Sequence, residues 1–136
     1  REAAVRICPV SELSDIERAA QYHFEFRAAD AAASPYLQLA ALVHAGTQGI
    51  EDALPTPLAI EKDLSSLTDT ELVDHGYVKL PPNLECALDL LERNDTVKRW
   101  FPNTFIEVYL KHKRGELEYL KDKDDLEICA AYEQVY

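Results

Sequence analysis

The 136-residue sequence has few basic residues, and this shortage excludes two classes of partner. Lys and Arg number 14 against 25 Asp and Glu, which gives a formal net charge of −11. Because phosphate backbones and anionic lipids are held by clustered Lys and Arg, nucleic acid and membrane are poor partners for this chain. The densest basic stretch, residues 111–114, lies among Glu107, Glu116 and Glu118, as is typical of a solvated helix face.

Several other signatures are missing. The four glycines are scattered, so there is no glycine-rich loop that could cradle a phosphate. No apolar run reaches the ~20 residues that span a membrane, and nothing resembles a signal peptide. The three cysteines are widely spaced and odd in number, which predicts free thiols in a reducing cytoplasm. Because the sequence has no Met and begins with Arg1, we expect a fragment or a trimmed product.

Alternating apolar and polar residues predict two β-strands near the N-terminus, at residues 5–7 and 22–27. Successive side chains of a strand point to opposite faces, so one face of the second strand is an aromatic core face. The other face carries His23, Glu25 and Arg27. The polar connection between the strands is too long for a tight hairpin.

The remaining sequence predicts mostly helices, and hence an α+β domain. Ser34 and Pro35 fit the start of a helix that continues to about Asp52. This helix is apolar nearly all round, which predicts that it is buried, with His44 as a hydrogen-bonded core histidine. Helical patterns follow at residues 68–74, 83–93, 96–101, 102–121 and from 124 onward.

The polar face of the second strand is the best candidate for chemistry. Glu25 and Arg27 point the same way, so a carboxylate that suits a divalent metal lies beside a guanidinium that suits a negative substrate group. Arg1 and Arg6 would add positive charge, as phosphoryl or carboxylate chemistry needs. The alternative is a solvated sheet surface with a weak ion pair, since one carboxylate cannot hold a metal alone.

Four motifs resemble segments of the glutamine synthetase family. Residues 1–7 (REAAVRI) resemble Asn-Arg-Ser-x-x-x-Arg-Ile-Pro without its Asn, and residues 24–27 (FEFR) resemble the family's Glu-x-Arg strand. Residues 32–50 resemble Asn-Pro-Tyr-Leu-x-x-Ala-Ala-x-x-x-Ala-Gly-x-x-Gly-Ile. Residues 80–88 resemble Leu-Pro-x-x-Leu-x-x-Ala-Leu, so that the resemblance covers essentially the whole chain.

The resemblance implies both a fold and a domain organisation. We expect residues 1–136 to be the C-terminal portion of a glutamine synthetase-like catalytic domain, with strands and an active-site loop over 1–33 and a helical part over 34–136. The expected fold class is α+β: two N-terminal strands from a larger catalytic sheet, then a mostly helical C-terminal region of about five helices. The resemblance also implies a homo-oligomeric double ring, with active sites between subunits, and no activity for the fragment alone.

Four positions match the family's functional residues. The resemblance implies that Glu25 ligates one of two Mg²⁺ (or Mn²⁺) ions near the ATP phosphates, and that Arg27 contacts glutamate and the transferred phosphoryl group. It implies that Arg1 contacts the γ-phosphate and that Arg6 stabilises phosphoryl transfer. In the implied reaction, ATP phosphorylates the γ-carboxylate of glutamate, and ammonia or an amine then attacks the γ-glutamyl phosphate.

Some residues depart from the family pattern. His23 stands where bacterial members often carry a phosphate-contacting arginine, Ser34 replaces an Asn, and Glu2 replaces a Ser. Ser65 stands where regulated bacterial forms carry an adenylylated tyrosine, which predicts that this control is absent. These departures favour a divergent member, such as a γ-glutamyl-amine ligase. A non-catalytic structural or regulatory relative and a fused upstream enzymatic domain stay open as alternatives.

Overall fold

Two strands are followed by six α-helices in the computed structural model of the chain, which describes residues 3–13, 15–56, 59–60 and 63–135. Two compact units divide the chain, Arg1–Val78 and Lys79–Tyr136. The α+β fold class, with its two strands and mostly helical remainder, is confirmed. The elements are β1 (Val5–Ile7), β2 (Phe24–Phe26), α1 (Pro35–Glu51), α2 (Asp69–Asp74), α3 (Leu84–Arg93), α4 (Asp95–Lys98), α5 (Asn103–Leu120) and α6 (Asp125–Glu133).

Strands β1 and β2 form an antiparallel pair in which Arg6 lies opposite Glu25. The long connection between them contains one 3-10 turn, Arg18–Gln21. The Gln21 side chain closes this connection, because its amide nitrogen donates to the carbonyls of Ser11 (3.3 Å) and Ile16 (2.8 Å). Its amide oxygen accepts from the Ser11 N–H at 2.8 Å. The Gln21 side chain therefore joins the two ends of the connection between the strands.

Polar side chains cap four of the described α-helices; Asn94 caps α4 (Oδ1 to Val97 N, 3.1 Å), and the other three start at residues that the sequence predicts. The Asn83 side chain accepts from the Cys86 N–H at the start of α3, at 2.9 Å. Reciprocal capping boxes open α2 at Thr68 and α6 at Asp124. Ser34 holds the N-cap position of α1 without a side-chain hydrogen bond, so Pro35 alone carries the predicted start signal there.

The most buried side chains of the described residues lie in the second unit, between α3 and α5. Leu88 is 2% exposed and Ile106 is 6% exposed. Leu88 belongs to an apolar stripe of α3 formed by Leu84, Ala87, Leu88 and Leu91 at helical spacing, which predicts that this side of the helix is buried. The adjacent aromatic residue of α5, Phe105, is 36% exposed, so the buried position of this helix is Ile106.

The predicted burial of α1 and of the aromatic strand face is wrong for the described chain. Tyr36 and Ile50 of α1 are 85% and 82% exposed, and Phe24 of β2 is 73% exposed. His44 is exposed as well, so it is not a core histidine. A helix that is apolar all round needs neighbours on every side, and a two-stranded ribbon cannot provide them. No helix among the described residues combines the length and apolar character needed to cross a membrane.

Candidate active site

The strand register places the candidate residues on one face of the β1–β2 pair. Backbone hydrogen bonds from Arg27 N to Ala4 O (2.7 Å) and from Cys8 N to His23 O (3.2 Å) flank the Arg6–Glu25 pair. Residues that exchange hydrogen bonds alternate along an antiparallel ladder and share a face. Thus the pairs 4/27, 6/25 and 8/23 lie on one face, which we call the polar strand face. The apolar residues of both strands lie on the other.

Glu25 lies between two arginines on the polar strand face. Its Oε2 accepts a hydrogen bond from Arg6 Nη1 at 3.3 Å, and its Oε1 lies 3.7 Å from Arg27 Nε. The three side chains are roughly half exposed, at 53%, 46% and 37% for Arg6, Glu25 and Arg27. Exposed ion pairs contribute at most about 1 kcal/mol to stability, so stability gives little reason for this grouping.

The net charge of this cluster is opposite in sign to the net charge of the chain. Two guanidinium groups and one carboxylate give the cluster a net positive charge, whereas the chain carries −11. Guanidinium groups present planar, bidentate donors that match carboxylate and phosphate oxygens. The polar strand face is therefore chemically suited to an anionic group.

The structure brings together three of the four residues singled out in the sequence. Arg6, Glu25 and Arg27 meet on the polar strand face, whereas Arg1 lies outside the described residues. Among residues 3–13, 15–56, 59–60 and 63–135, no group of three or more His, Cys, Asp and Glu side chains could hold a metal ion. Glu25 thus fits as one ligand of a divalent cation, but these residues do not complete a metal site.

Two residues near the cluster, His23 and Gln21, have no role at the site that the sequence predicts. His23 shares the polar strand face, and its Nδ1 lies 2.8 Å from the main-chain oxygen of Gln21. The strand alternation already placed His23 on this face. The contribution of Gln21 depends on how the connection folds back, and no local pattern indicates it.

Three titratable groups away from the polar strand face have shifted pKa values. Hydrogen bonds from the Thr68 backbone and hydroxyl lower the pKa of Glu71 at the start of α2. The ammonium of Lys98 lowers the pKa of Asp95 in the same way. Carboxylates of Asp89, and secondarily Glu92, raise the pKa of Arg114. Each shift follows from a cap or a surface ion pair, so none of them indicates a second catalytic centre.

Comparison with known proteins identifies the family. The glutamine synthetase catalytic domain matches residues 1–130. The chain is 34% identical over 124 residues to the glutamine synthetase of Aquifex aeolicus (strain VF5), which covers 89% of this chain and 25% of that protein. It is 30% identical over 106 residues to that of Clostridium saccharobutylicum, covering 78% of this chain and 24% of the relative.

A third relative agrees with these two. The glutamine synthetase of Methanocaldococcus jannaschii is 33% identical over 92 residues, which is 68% of this chain and 20% of that protein. The chain belongs to the glutamine synthetase family, and the resemblance stated from its motifs is confirmed. It spans between a fifth and a quarter of the length of these relatives.

Proposed function

We propose that this chain is the C-terminal portion of the catalytic domain of an ATP- and Mg²⁺-dependent ligase, which joins the γ-carboxylate of glutamate to ammonia or an amine. Mn²⁺ would serve in place of Mg²⁺. Family membership supports the reaction class. The single observation that supports a retained site is the Arg6–Glu25–Arg27 cluster, whose three charged side chains stand together although they gain little stability from doing so.

The two described arginines would bind and orient the anionic reactants. Arg27 would hold the glutamate substrate and the transferred phosphoryl group, and Arg6 would stabilise the charge that develops on the phosphoryl oxygens. Phosphoryl transfer depends mainly on positioning and on neutralising this charge, which fixed guanidinium donors provide. In the same proposal, Arg1 would contact the γ-phosphate of ATP from outside the described residues.

Glu25 would be one ligand of a divalent cation. The cation, when bound, supplies positive charge to the phosphate oxygens. Its remaining ligands would come from outside the described residues, which contain no complete set. Without the cation, Arg6 and Arg27 neutralise the Glu25 carboxylate and keep its position on the strand face.

The proposal extends to substrate and assembly. The departures at positions 23 and 34 favour an amine acceptor, and hence a γ-glutamyl-amine product, over ammonia alone. We further propose a homo-oligomeric double ring for the full-length protein, with no activity in residues 1–136 by themselves. Glutamine formation by the isolated chain would contradict this last point.

The test uses the full-length protein with glutamate, ATP and Mg²⁺, and measures phosphate release across ammonia and a panel of amines. Glu25→Ala should abolish phosphate release. Glu12→Ala is the matched control, because Glu12 also pairs with an arginine (Arg18 Nη1 to Glu12 Oε1, 3.1 Å) but in the exposed connection. Absence of amine-dependent phosphate release in the unmodified protein would favour a non-catalytic family member. Unchanged turnover in Glu25→Ala would refute the role of this carboxylate.

A further inference from the structure

His23 adds a fourth polar group to the strand face. Its backbone oxygen accepts from Cys8 N at 3.2 Å, so positions 8 and 23 continue the ladder beyond the Arg6–Glu25 pair. Its Cβ therefore projects from the same face as Glu25 and Arg27. The His23 side chain is exposed, so the ring is open to a ligand.

The ring of His23 has a defined hydrogen-bonding state. Its Nδ1 lies 2.8 Å from the main-chain oxygen of Gln21. A carbonyl oxygen only accepts, so Nδ1 must carry the hydrogen of this bond. In the neutral ring, Nε2 then has a lone pair and acts as an acceptor. No residue among those that the structure describes makes a hydrogen bond to Nε2.

Gln21, the residue that supplies this carbonyl, is anchored through its side chain. The Gln21 side chain makes three hydrogen bonds, two with the backbone of Ser11 and one with the Ile16 carbonyl. It is half-buried, unlike most of the connection. This anchoring restricts where the Gln21 carbonyl can lie, and so favours the ring orientation in which His23 Nδ1 contacts it. Gln21 is therefore a positioning residue for His23.

Besides this nitrogen, the main side-chain acceptor among the described residues of the polar strand face is the Glu25 carboxylate. Guanidinium groups donate and never accept, so Arg6 and Arg27 select anions. Both Glu25 oxygens face those arginines, at 3.3 Å and 3.7 Å. His23 Nε2 thus offers what the arginines cannot, namely a lone pair for a hydrogen-bond donor.

We propose that His23 Nε2 accepts a hydrogen bond from a nitrogen-bearing group of the substrates, and that this contact helps to select them. The inference rests on the proposed ligase function and adds a specificity-determining residue to it. Two substrate groups share the required chemistry: the α-ammonium of glutamate and the incoming amine. Kinetics with each substrate varied in turn distinguishes them.

Two substitutions in the full-length protein separate the two ring nitrogens. His23→Asn keeps an amide N–H near the Nδ1 position but removes the Nε2 acceptor, whereas His23→Gln places an amide oxygen near Nε2. We expect His23→Asn to raise KM for glutamate or for the amine by about tenfold, the value of one hydrogen bond, with KM for ATP unchanged. His23→Gln should restore most of this loss. His112→Asn, which alters an exposed helix histidine, is the control.

The opposite pattern would overturn the inference. If His23→Asn raises KM for ATP, or if His23→Arg improves it, the residue contacts an anion rather than a donor. Equal changes in every constant together with a lower melting temperature would assign His23 a structural role only. Unchanged kinetics in His23→Asn, in a protein that turns over, would refute the inference while leaving the proposed ligase function intact.

A measurement that does not depend on turnover complements the kinetics. Nitrogen-15 NMR of histidine-labelled, sedimented full-length protein, with His23 assigned by its loss in His23→Asn, reports the tautomer of the neutral ring. We expect hydrogen on Nδ1. Hydrogen on Nε2 would overturn the inference. A protein that shows the Nδ1–H tautomer but no turnover with any amine would refute the proposed function, and with it the substrate contact.

Discussion

Two arginine–carboxylate clusters in this chain have opposite composition. On the polar strand face, one carboxylate (Glu25) lies between two arginines. In the second unit, one arginine (Arg114) lies between two carboxylates, with Nη2 at 3.0 Å from Asp89 Oδ1 and 2.7 Å from Glu92 Oε2. The first cluster attracts anions and the second repels them.

The surroundings of the two clusters differ as well. The Arg114 cluster joins α3 and α5, the helices that bury Leu88 and Ile106, so it adds to an interface that apolar packing already forms. The Glu25 cluster lies on a two-stranded ribbon whose strand residues are all exposed. Similar ion pairs therefore lie in different surroundings: one accompanies a core, and the other lies on an exposed strand face, where we propose that it binds a ligand.

Removing an arginine from the polar strand face should give the largest effect on activity. We expect Arg27→Ala to lower turnover of the full-length protein on the order of 100-fold, the usual loss when a donor to the transition-state charge is removed. Arg114→Ala should leave turnover nearly unchanged. Steady-state phosphate release measures both. Equal losses in the two variants would break the distinction between the clusters.

Truncating the second unit's core should give the largest effect on stability. Leu88→Ala should lower the free energy of unfolding by about 2–5 kcal/mol, because it removes buried methyl groups and leaves a cavity. Leu90→Ala is the control on the same helix, since Leu90 is 57% exposed. Urea unfolding followed by fluorescence of Trp100, the only tryptophan, reports this unit. Similar losses in the two variants would contradict the assigned core.

The cap of α3 should contribute a smaller amount. Asn83→Ala should lower the same free energy of unfolding by about 1 kcal/mol, because the Cys86 N–H loses its side-chain acceptor. Asn83→Asp should retain most of the stability. If Asn83→Ala and the unchanged chain unfold at the same urea concentration, the cap has no measurable effect.

The α2 capping box should give the smallest effect, and it should depend on pH. The pKa of Glu71 is lowered in the folded chain, so the carboxylate stabilises α2 above its ordinary pKa of about 4.5. This stabilisation is lost as pH falls through the lowered folded value. The protection of the Leu72 amide against hydrogen exchange should be lower near pH 3 than at pH 6. Glu71→Gln should remove the difference, and a pH effect that persists in Glu71→Gln would contradict this cause.

The sequence predicted local structure well, because local structure depends on neighbours along the chain. Strand alternation placed Glu25 and Arg27 on one face, and Asn83, Thr68 and Asp124 marked helix starts before the structure showed their hydrogen bonds. The four motifs indicated the family, which the alternation of apolar and polar residues alone did not identify.

Burial and hydrogen bonds between distant residues were harder to predict from the sequence. The exposure of α1 depends on which other elements surround it, and apolar composition does not state whether they are present. The Gln21 tie joins residues up to ten positions apart through a connection without periodicity. The choice of Ile106 over Phe105 as the buried residue of α5 depends on the angle at which α3 crosses it.

The hydrogen bonds of the Gln21 side chain also affect the order in which parts of the chain fold. Pairing of the strands must close the loop formed by residues 8–23. This closure lowers the chain entropy before contacts between the strands can stabilise the pair. Hydrogen bonds from one glutamine to Ser11 and Ile16 subdivide this loop into shorter closures. Because this pairing is non-local, the polar strand face should form after the helices, and Gln21→Leu should slow its formation, which stopped-flow refolding would measure.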